Sequence, residues 1–309
     1  MNEMILTNNN ITAGDINSYC TRFINYLDVA PKTVNTYRKA LNQFLKYLND
    51  KGITKPQRQD VIDFRNKIKE EHKNTTVQCY LTAIKMFFRF CDNENLYPNI
   101  ADHVKGAKVS RAQKKDSLTP GQAQDLLSSI DKTTAEGLRD YALLTLMLTG
   151  GLRTIEVNRA LIEDIKTIGT QTVLFIQGKG KEDKTAYIKL SANTEKALRC
   201  YLATRKDYKA AEPLFISTSN NSKGKPLSTR TISDIAKRHF IDIGLNSERI
   251  TAHSLRHTAI TFSLLKGESL QEVKEFARHE NITTTLIYAH NLEKLNNNCS
   301  NAIDEMLFS

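Results

Sequence analysis

The sequence has no Cys-x-x-C pair. Its five cysteines, Cys20, Cys79, Cys91, Cys200 and Cys299, are odd in number and widely spaced. That spacing speaks against a disulfide framework and a structural zinc site, and fits free thiols in a reducing compartment. There is also no apolar run long enough for a bilayer: the longest, Tyr141–Leu148, falls well short of the roughly 20 residues a spanning helix needs. The N-terminus, MNEMILTNNN, lacks the basic-then-apolar pattern of a secretory leader. The expectation from these absences is a soluble cytoplasmic protein with no metal, no other cofactor and no membrane partner.

Tryptophan is missing altogether, but the 40% apolar and 25% charged fractions are those of an ordinary globular chain. With 309 residues the chain is long enough for two domains, each with its own core. Lys and Arg number 44 against 34 Asp and Glu, a net charge of +10. That excess points to a polyanionic partner.

Apolar positions recur at helical spacing from Asp15 to about Asn93. Ile16, Tyr19, Phe23 and Leu27 form one stripe. Pro31 opens a stronger helix, with Val34, Tyr37, Leu41, Phe44 and Leu48 on one face and Gly52 beyond its end. Further helices are expected over Gln59–Glu71 and Thr75–Asn93. Residues 15–100 thus read as a bundle of four to five helices whose outer faces carry Lys32, Arg38, Lys85 and Arg89. The run 105–115, KGAKVSRAQKK, has many basic residues and no acidic one, and reads as an extended linker able to lie along a phosphate backbone. Lys105, Lys108 and Arg111 are its candidate contacts. The domain boundaries drawn from this pattern are 1–104, a linker at 105–116, and 117–309.

In the second domain, Thr119-Pro120-Gly121-Gln122 has capping-box spacing with proline at the first helical position, so a helix to about Ile130 is expected. Gly137–Leu148 is a strongly apolar helix, broken by Gly150-Gly151 so that Arg153 starts the next one. Thr172–Gln177 and Thr185–Leu190 are the only convincing β segments, and they flank a glycine- and lysine-rich turn. Helices are expected at 192–206 after Ser191 and at 229–243 after Ser228. The helix carrying His253 and Arg256 ends at Gly267, and Ser269 caps a helix that stops just before His279.

Ile250–His290 concentrates His253, Arg256, His279 and Tyr288. Cleaving a phosphodiester without metal requires that the non-bridging oxygens be neutralised, a nucleophile deprotonated and the leaving alkoxide protonated. Guanidinium suits the first task, because its planar fork binds two phosphate oxygens and stays charged. A phenol, with a reference pKa of about 10, needs a base or a positive surrounding to act as nucleophile. Histidine and lysine can move the protons.

Three segments, Thr149-Gly150-Gly151-Leu152-Arg153-Thr154-Ile155-Glu156, His253-Ser254-Leu255-Arg256-His257-Thr258, and Ala277-Arg278-His279 followed by Thr284-Thr285-Leu286-Ile287-Tyr288, resemble the signature boxes of the tyrosine recombinases, the phage integrase family. Gly178-Lys179-Gly180-Lys181 resembles that family's lysine turn, and the overall size resembles its Xer-type members. The resemblance implies a mainly α fold: an N-terminal helical core-binding (SAM-like) bundle and a mostly α catalytic domain with a small β-hairpin or sheet. It implies that Tyr288 forms a 3′-phosphotyrosyl bond to DNA while Arg153 and Arg256 hold the phosphate. It makes His279 a donor to a non-bridging oxygen, His253 the general base, Lys179 (in competition with Lys181 and Lys184) the acid for the leaving 5′-oxygen, and Glu156 a supporting acidic residue. His257 reads instead as a packed, hydrogen-bonded histidine. The partners it implies are a double-stranded DNA recombination site, accessory proteins, and three further copies of the chain in a tetramer, each docking its C-terminal segment on a neighbour.

Where the family often has glycine, this chain has Arg278, which raises the expectation of a changed local backbone and an added phosphate contact. Two other readings compete with site-specific recombination: a type IB topoisomerase-like nicking–closing enzyme, and a DNA-binding regulator without catalysis.

Overall fold

The computed structural model describes residues 13–108, 115–178, 183–295 and 298–308. Lys179, Lys181 and Arg111 lie outside the described residues. The chain divides into two compact units, Met1–Arg111 and Ala112–Ser309.

The first unit is built from α1 (Ala13–Tyr26), α2 (Pro31–Asp50), α3 (Arg58–Glu71) and α4 (Asn74–Asn93). Proline stands in the first turn of α2, where its missing N–H costs no hydrogen bond. The apolar stripes close on an aromatic centre in which Phe44 meets Phe64 at 5.2 Å and Phe87 meets Phe88 at 5.0 Å between ring centroids. Phe23, Phe44, Phe64, Phe87 and Phe88 are all buried. On the outer surface Lys32, Arg38, Arg89, Lys105 and Lys108 are exposed and Lys85 is half-buried. The first residues of the basic run are held to this unit by their backbone: Arg65 donates to the Lys105 carbonyl at 3.0 Å and Asn74 to the Lys108 carbonyl at 2.9 Å.

The second unit contains α5 (Pro120–Ser128), α6 (Ala135–Gly150), α7 (Thr154–Asn158), β1 (Ile165–Ile168), β2 (Gln171–Ile176), β3 (Ala186–Lys189), α8 (Ala192–Ala203), α9 (Thr229–Asp242), α10 (Ala252–Leu265), α11 (Leu270–Ala277), α12 (Ile282–Leu295) and α13 (Cys299–Phe308). Helix α6 is buried on several sides, with the ion pair Arg139–Asp140 near its start and mostly apolar residues from Ala142 to Met147, and packs against α8 and α10. The expected caps are in place: Thr119, Ser191, Ser228 and Ser269 each accept from a backbone N–H in the first turn of α5, α8, α9 and α11.

The sheet departs from expectation by one strand. It is antiparallel in the order β1-β2-β3, with β1 joined to β2 through a tight turn in which Gly169 is left-handed. Ile165–Ile168 is only four residues long and mostly exposed, so it shows no clear alternation; pairing with β2 is what makes it a strand. Opposite it, β2 buries Val173, Leu174 and Ile176. Among the described residues no helix is long and apolar enough to cross a membrane, and no cluster of His, Cys, Asp and Glu is placed to hold a metal.

Candidate active site

The break after α6 is the first piece of the site. Gly150 lies so close to β3 that a Cβ there would come within 2.4 Å of Ile188, and Gly151 is left-handed with a Cβ position 3.0 Å from Phe276. A side chain at 150 would have to displace the end of Ile188, and one at 151 would be strained by the left-handed backbone and crowded by Phe276. The turn delivers Arg153 to the start of α7. There the Arg153 backbone N–H donates to Glu156 Oε2 at 2.8 Å and its Nη1 to Oε1 at 2.9 Å. Glu156 is completely buried.

Helix α10 supplies the second piece. Arg256 is 2% exposed, yet its guanidinium bonds to backbone carbonyls from both neighbouring segments: Gly151 at 2.6 Å, and Ala277. Burial, with Arg153 and Arg278 close by, pulls its pKa down to about 9. Three guanidiniums, Arg153, Arg256 and Arg278, meet here with Glu156 as the carboxylate bonded to two of them, so the pocket carries an excess of positive charge.

The third piece runs from the end of α11 into α12. Arg278 is left-handed, with φ 53° and ψ 47°, and its side chain turns inward. It donates to Glu156 Oε2 at 3.0 Å, to the Gly151 carbonyl at 2.9 Å and to the Phe276 carbonyl at 2.6 Å. Arg278 thus keeps the left-handed conformation that a glycine would adopt after a helix, and its guanidinium meets a carboxylate and carbonyls. His279 Nδ1 lies 2.9 Å from Thr285 Oγ1, and its ring stacks on Tyr288 at 6.2 Å. Partial burial and the charges of Arg256, Arg153 and Arg278 lower the His279 pKa to about 4.

Tyr288 sits on α12 and is 6% exposed. Its hydroxyl is hydrogen-bonded to Nδ1 of His257, whose ring lies edge-on to that of His253 at 4.7 Å. Burial, followed by the proximity of His253 and Arg256, brings the His257 pKa down to about 3, so the imidazole is neutral. Burial pushes the phenol up to about 12, although Arg256 and Arg153 pull in the other direction. His253, exposed on α10, is likewise lowered by partial desolvation and then by Arg256 and Arg153.

The structure therefore gathers Arg153, Glu156, His253, Arg256, His279 and Tyr288 around one locus. A cleft of about 740 Å³ beside it is lined by Arg153, Glu156, Gly178, Arg278 and His279. Lys184, the third lysine of the turn, is held by Asp164 at 2.5 Å. Two residues have a larger part than the sequence gives them. His257, expected as a packed, hydrogen-bonded histidine, is one, and its partner is the phenol; its place four residues after His253, on the same helical face, is the signal that it belongs to the cluster. Arg278 is the second partner of Glu156, which only the turn of the chain after α11 reveals.

Known proteins resemble this chain along most of its length. The family model described as phage integrase family matches residues 116–294, and that of the phage integrase N-terminal SAM-like domain matches residues 16–95. Tyrosine recombinase XerC of Thermodesulfovibrio yellowstonii is 29% identical over 290 residues, covering 88% of this chain and 91% of that protein. Tyrosine recombinase XerA of Pyrococcus horikoshii is 30% identical over 269 residues, covering 86% of each. Among solved structures, XerH recombinase bound to a palindromic difH substrate in a post-cleavage complex superposes with a TM-score of 0.73 at 23% identity, covering 92% of this chain and 84% of that one. A lambda integrase dimer bound to a core site gives 0.69 at 16% identity, over 87% of this chain and 96% of that one. The chain belongs to the phage integrase family of tyrosine recombinases.

Proposed function

We propose that this protein is a site-specific DNA recombinase that cuts and rejoins duplex DNA through a 3′-phosphotyrosyl intermediate at Tyr288. The observation that carries this reading is the convergence of a phenol with two buried or half-buried arginines from sequence segments about a hundred residues apart, in a pocket where three guanidiniums face the single carboxylate of Glu156. A phosphodiester supplies the missing negative charge. Arg153 and Arg256 clamp its two non-bridging oxygens, and His279 adds a hydrogen bond as charge builds on them. The Tyr288 oxygen attacks phosphorus, the bond to the 5′-oxygen breaks, and Lys179 returns a proton to that oxygen. The phenol proton leaves by way of the imidazole pair, His257 touching the hydroxyl and His253 opening to solvent. The reverse step needs only a 5′-hydroxyl, since the ester stores the energy of the broken bond.

Without DNA the site is at rest. Burial pushes the phenol up and the imidazole down, so both favour their neutral forms and proton transfer between them is uphill. Phosphate binding and movement of α12 have to change that before attack.

The N-terminal residues 1–104 serve as the core-binding domain and 117–309 as the catalytic domain, with Lys32, Arg38, Lys85, Arg89, Lys105, Lys108 and Arg111 as backbone contacts. The assembly is a tetramer in which α13 of each copy docks on its neighbour, in the cytoplasm. Two features support that exchange. Helix α13 buries none of its residues and leaves Met306 85% and Phe308 81% exposed. The same unit also has an apolar groove between α5, α10 and α11, lined by Leu127, Leu148, Ala259, Phe262 and Phe276. Head-to-tail docking of a helix into such a groove closes a ring.

The test uses a nicked duplex carrying the protein's site, recovered by sequencing DNA trapped on the protein from a randomised-core library. The expected product is an SDS-stable protein–DNA adduct that Tyr288→Phe abolishes, followed by strand exchange when an intact partner duplex is added. An adduct without exchange would instead mean a nicking–closing enzyme, and binding with no adduct a regulator.

A further inference from the structure

The contact between Arg278 and Glu156 is not explained by holding a phosphate. Glu156 is a completely buried carboxylate with three donors: the backbone N–H and Nη1 of Arg153, and Nη2 of Arg278. A buried carboxylate must be charge-compensated. If Arg153 were its sole counter-ion, the two would cancel, and the guanidinium meant for DNA would bring no net charge to the phosphate. Arg278 changes that balance: with two guanidiniums on one carboxylate, the trio keeps a net charge of plus one. Together with Arg256 the cradle then stands at plus two, which matches the two anionic equatorial oxygens of the pentacoordinate phosphorus formed during attack.

The backbone tells the same story from another side. Arg278 stands in the left-handed conformation that ends α11, a position glycine occupies without cost and a β-carbon does not favour. A strained position that carries a long cationic side chain points to a use for that side chain. Three of its hydrogen bonds anchor it inward, and its Nε is buried with no hydrogen-bond partner among the described residues. Its guanidinium also shares the Gly151 carbonyl with Arg256, so it braces both arginines of the clamp through one backbone oxygen. Glu156 stays ionised: burial alone raises its carboxyl, but Arg278 and then Arg153 hold it below the ordinary range.

We propose that Arg278 is a positioning residue that takes over the charge of Glu156, leaving the charge of Arg153 for the DNA phosphate, while the Arg278 carbonyl accepts from Arg153 Nη2 at 3.4 Å and fixes its direction. This rests on the recombinase reading and goes beyond it, because the hydrogen bonds of the Arg278 guanidinium go to Glu156 and to backbone carbonyls.

The experiment measures adduct formation on the nicked probe, together with non-covalent DNA affinity as a function of salt. Variants are Arg278→Gly, Arg278→Lys and Glu156→Gln, and the pair Arg278→Gly with Glu156→Gln. Arg278→Gly relieves the backbone but removes one counter-ion of the buried Glu156, so its melting temperature is measured alongside and activity is read well below it. It should form the adduct roughly 10- to 100-fold more slowly, with DNA affinity and its salt dependence unchanged. Arg278→Lys should recover part of the rate, because it restores the charge but not the fork. In the Glu156→Gln background, where there is no carboxylate to offset, Arg278→Gly should cost less than about threefold. The inference is overturned if Arg278→Gly cleaves within threefold of wild type, or if its cost is the same with Gln at 156. It is also overturned if the salt slope falls by one phosphate contact, which would make Arg278 a direct DNA ligand. Failure of the wild type to form any adduct would instead remove the recombinase reading, and this inference with it.

Discussion

Lowering the pH should unfold the second unit through its histidines, and replacing His257 by glutamine should protect it. The sign follows from the buried imidazole. In the unfolded chain His257 titrates near 6.5, and in the folded protein near 3, because burial and the neighbouring His253 and Arg256 oppose its charge. Between those values the unfolded state binds a proton that the folded state refuses. Stability from this group is therefore fully present above pH 6.5 and falls as the pH drops toward 3. From pH 7 to pH 5 the loss is about 2 kcal/mol for His257 alone. His279, lowered to about 4 but only half-buried, adds about half as much once solvent screening is allowed for. Against a total stability of roughly 5–15 kcal/mol, that is a large fraction.

The perturbation is His257→Gln, which keeps a neutral hydrogen-bonding group and removes the titration. The assay is hydrogen exchange of the α10 and α12 amides at pH 7 and pH 5, corrected for intrinsic rates, which reports this unit without interference from the helical bundle. Between the two pH values the gap between wild type and variant should move by about 2 kcal/mol in favour of the variant. Thermal melts should show the same change as about 4–8 °C for a unit of this size. An unchanged gap would mean that His257 is not held neutral against the Tyr288 hydroxyl, and the account of the resting site would fail.

Three other perturbations are equally specific. Gly151→Ala places a Cβ in the left-handed region, 3.0 Å from Phe276, and should cost about 1–2 kcal/mol in backbone strain alone; urea midpoints check the stability, and slower adduct formation should accompany it because the Gly151 carbonyl holds two arginines. Lys184→Met leaves the buried Asp164 without its ion pair and should destabilise by roughly 1–3 kcal/mol. Adduct yield should stay within threefold of wild type, since Asp164 already occupies that ammonium. Phe308→Asp combined with Met306→Asp on α13 should leave DNA binding and the first cleavage intact while abolishing strand exchange, read on native gels as loss of the four-subunit complex.

Much of the scaffold could be read directly. Each of the four cap residues, Thr119, Ser191, Ser228 and Ser269, announces its helix because the hydrogen bond it makes spans only three residues. The aromatic stripes of α2 and α4 were equally plain, since burial on one helical face leaves a 3.6-residue period. Ile165–Ile168 was not: a four-residue, exposed strand exists only through its pairing with β2.

The same division runs through the site. Local order fixed which residue types are present and how they are spaced: Arg153 after a glycine turn, His253, Arg256 and His257 on adjoining turns of one helix, and Tyr288 further along. Which of them meet was decided in three dimensions. His257 faces the phenol because α12 returns across α10, and Glu156 is shared by two arginines because the chain turns left-handed at Arg278. Hydrogen bonds within a helical turn are encoded by neighbours in the chain. Charge balance among Arg153, Glu156, Arg256 and Arg278 depends on distances between segments up to 125 residues apart, set by packing rather than by spacing.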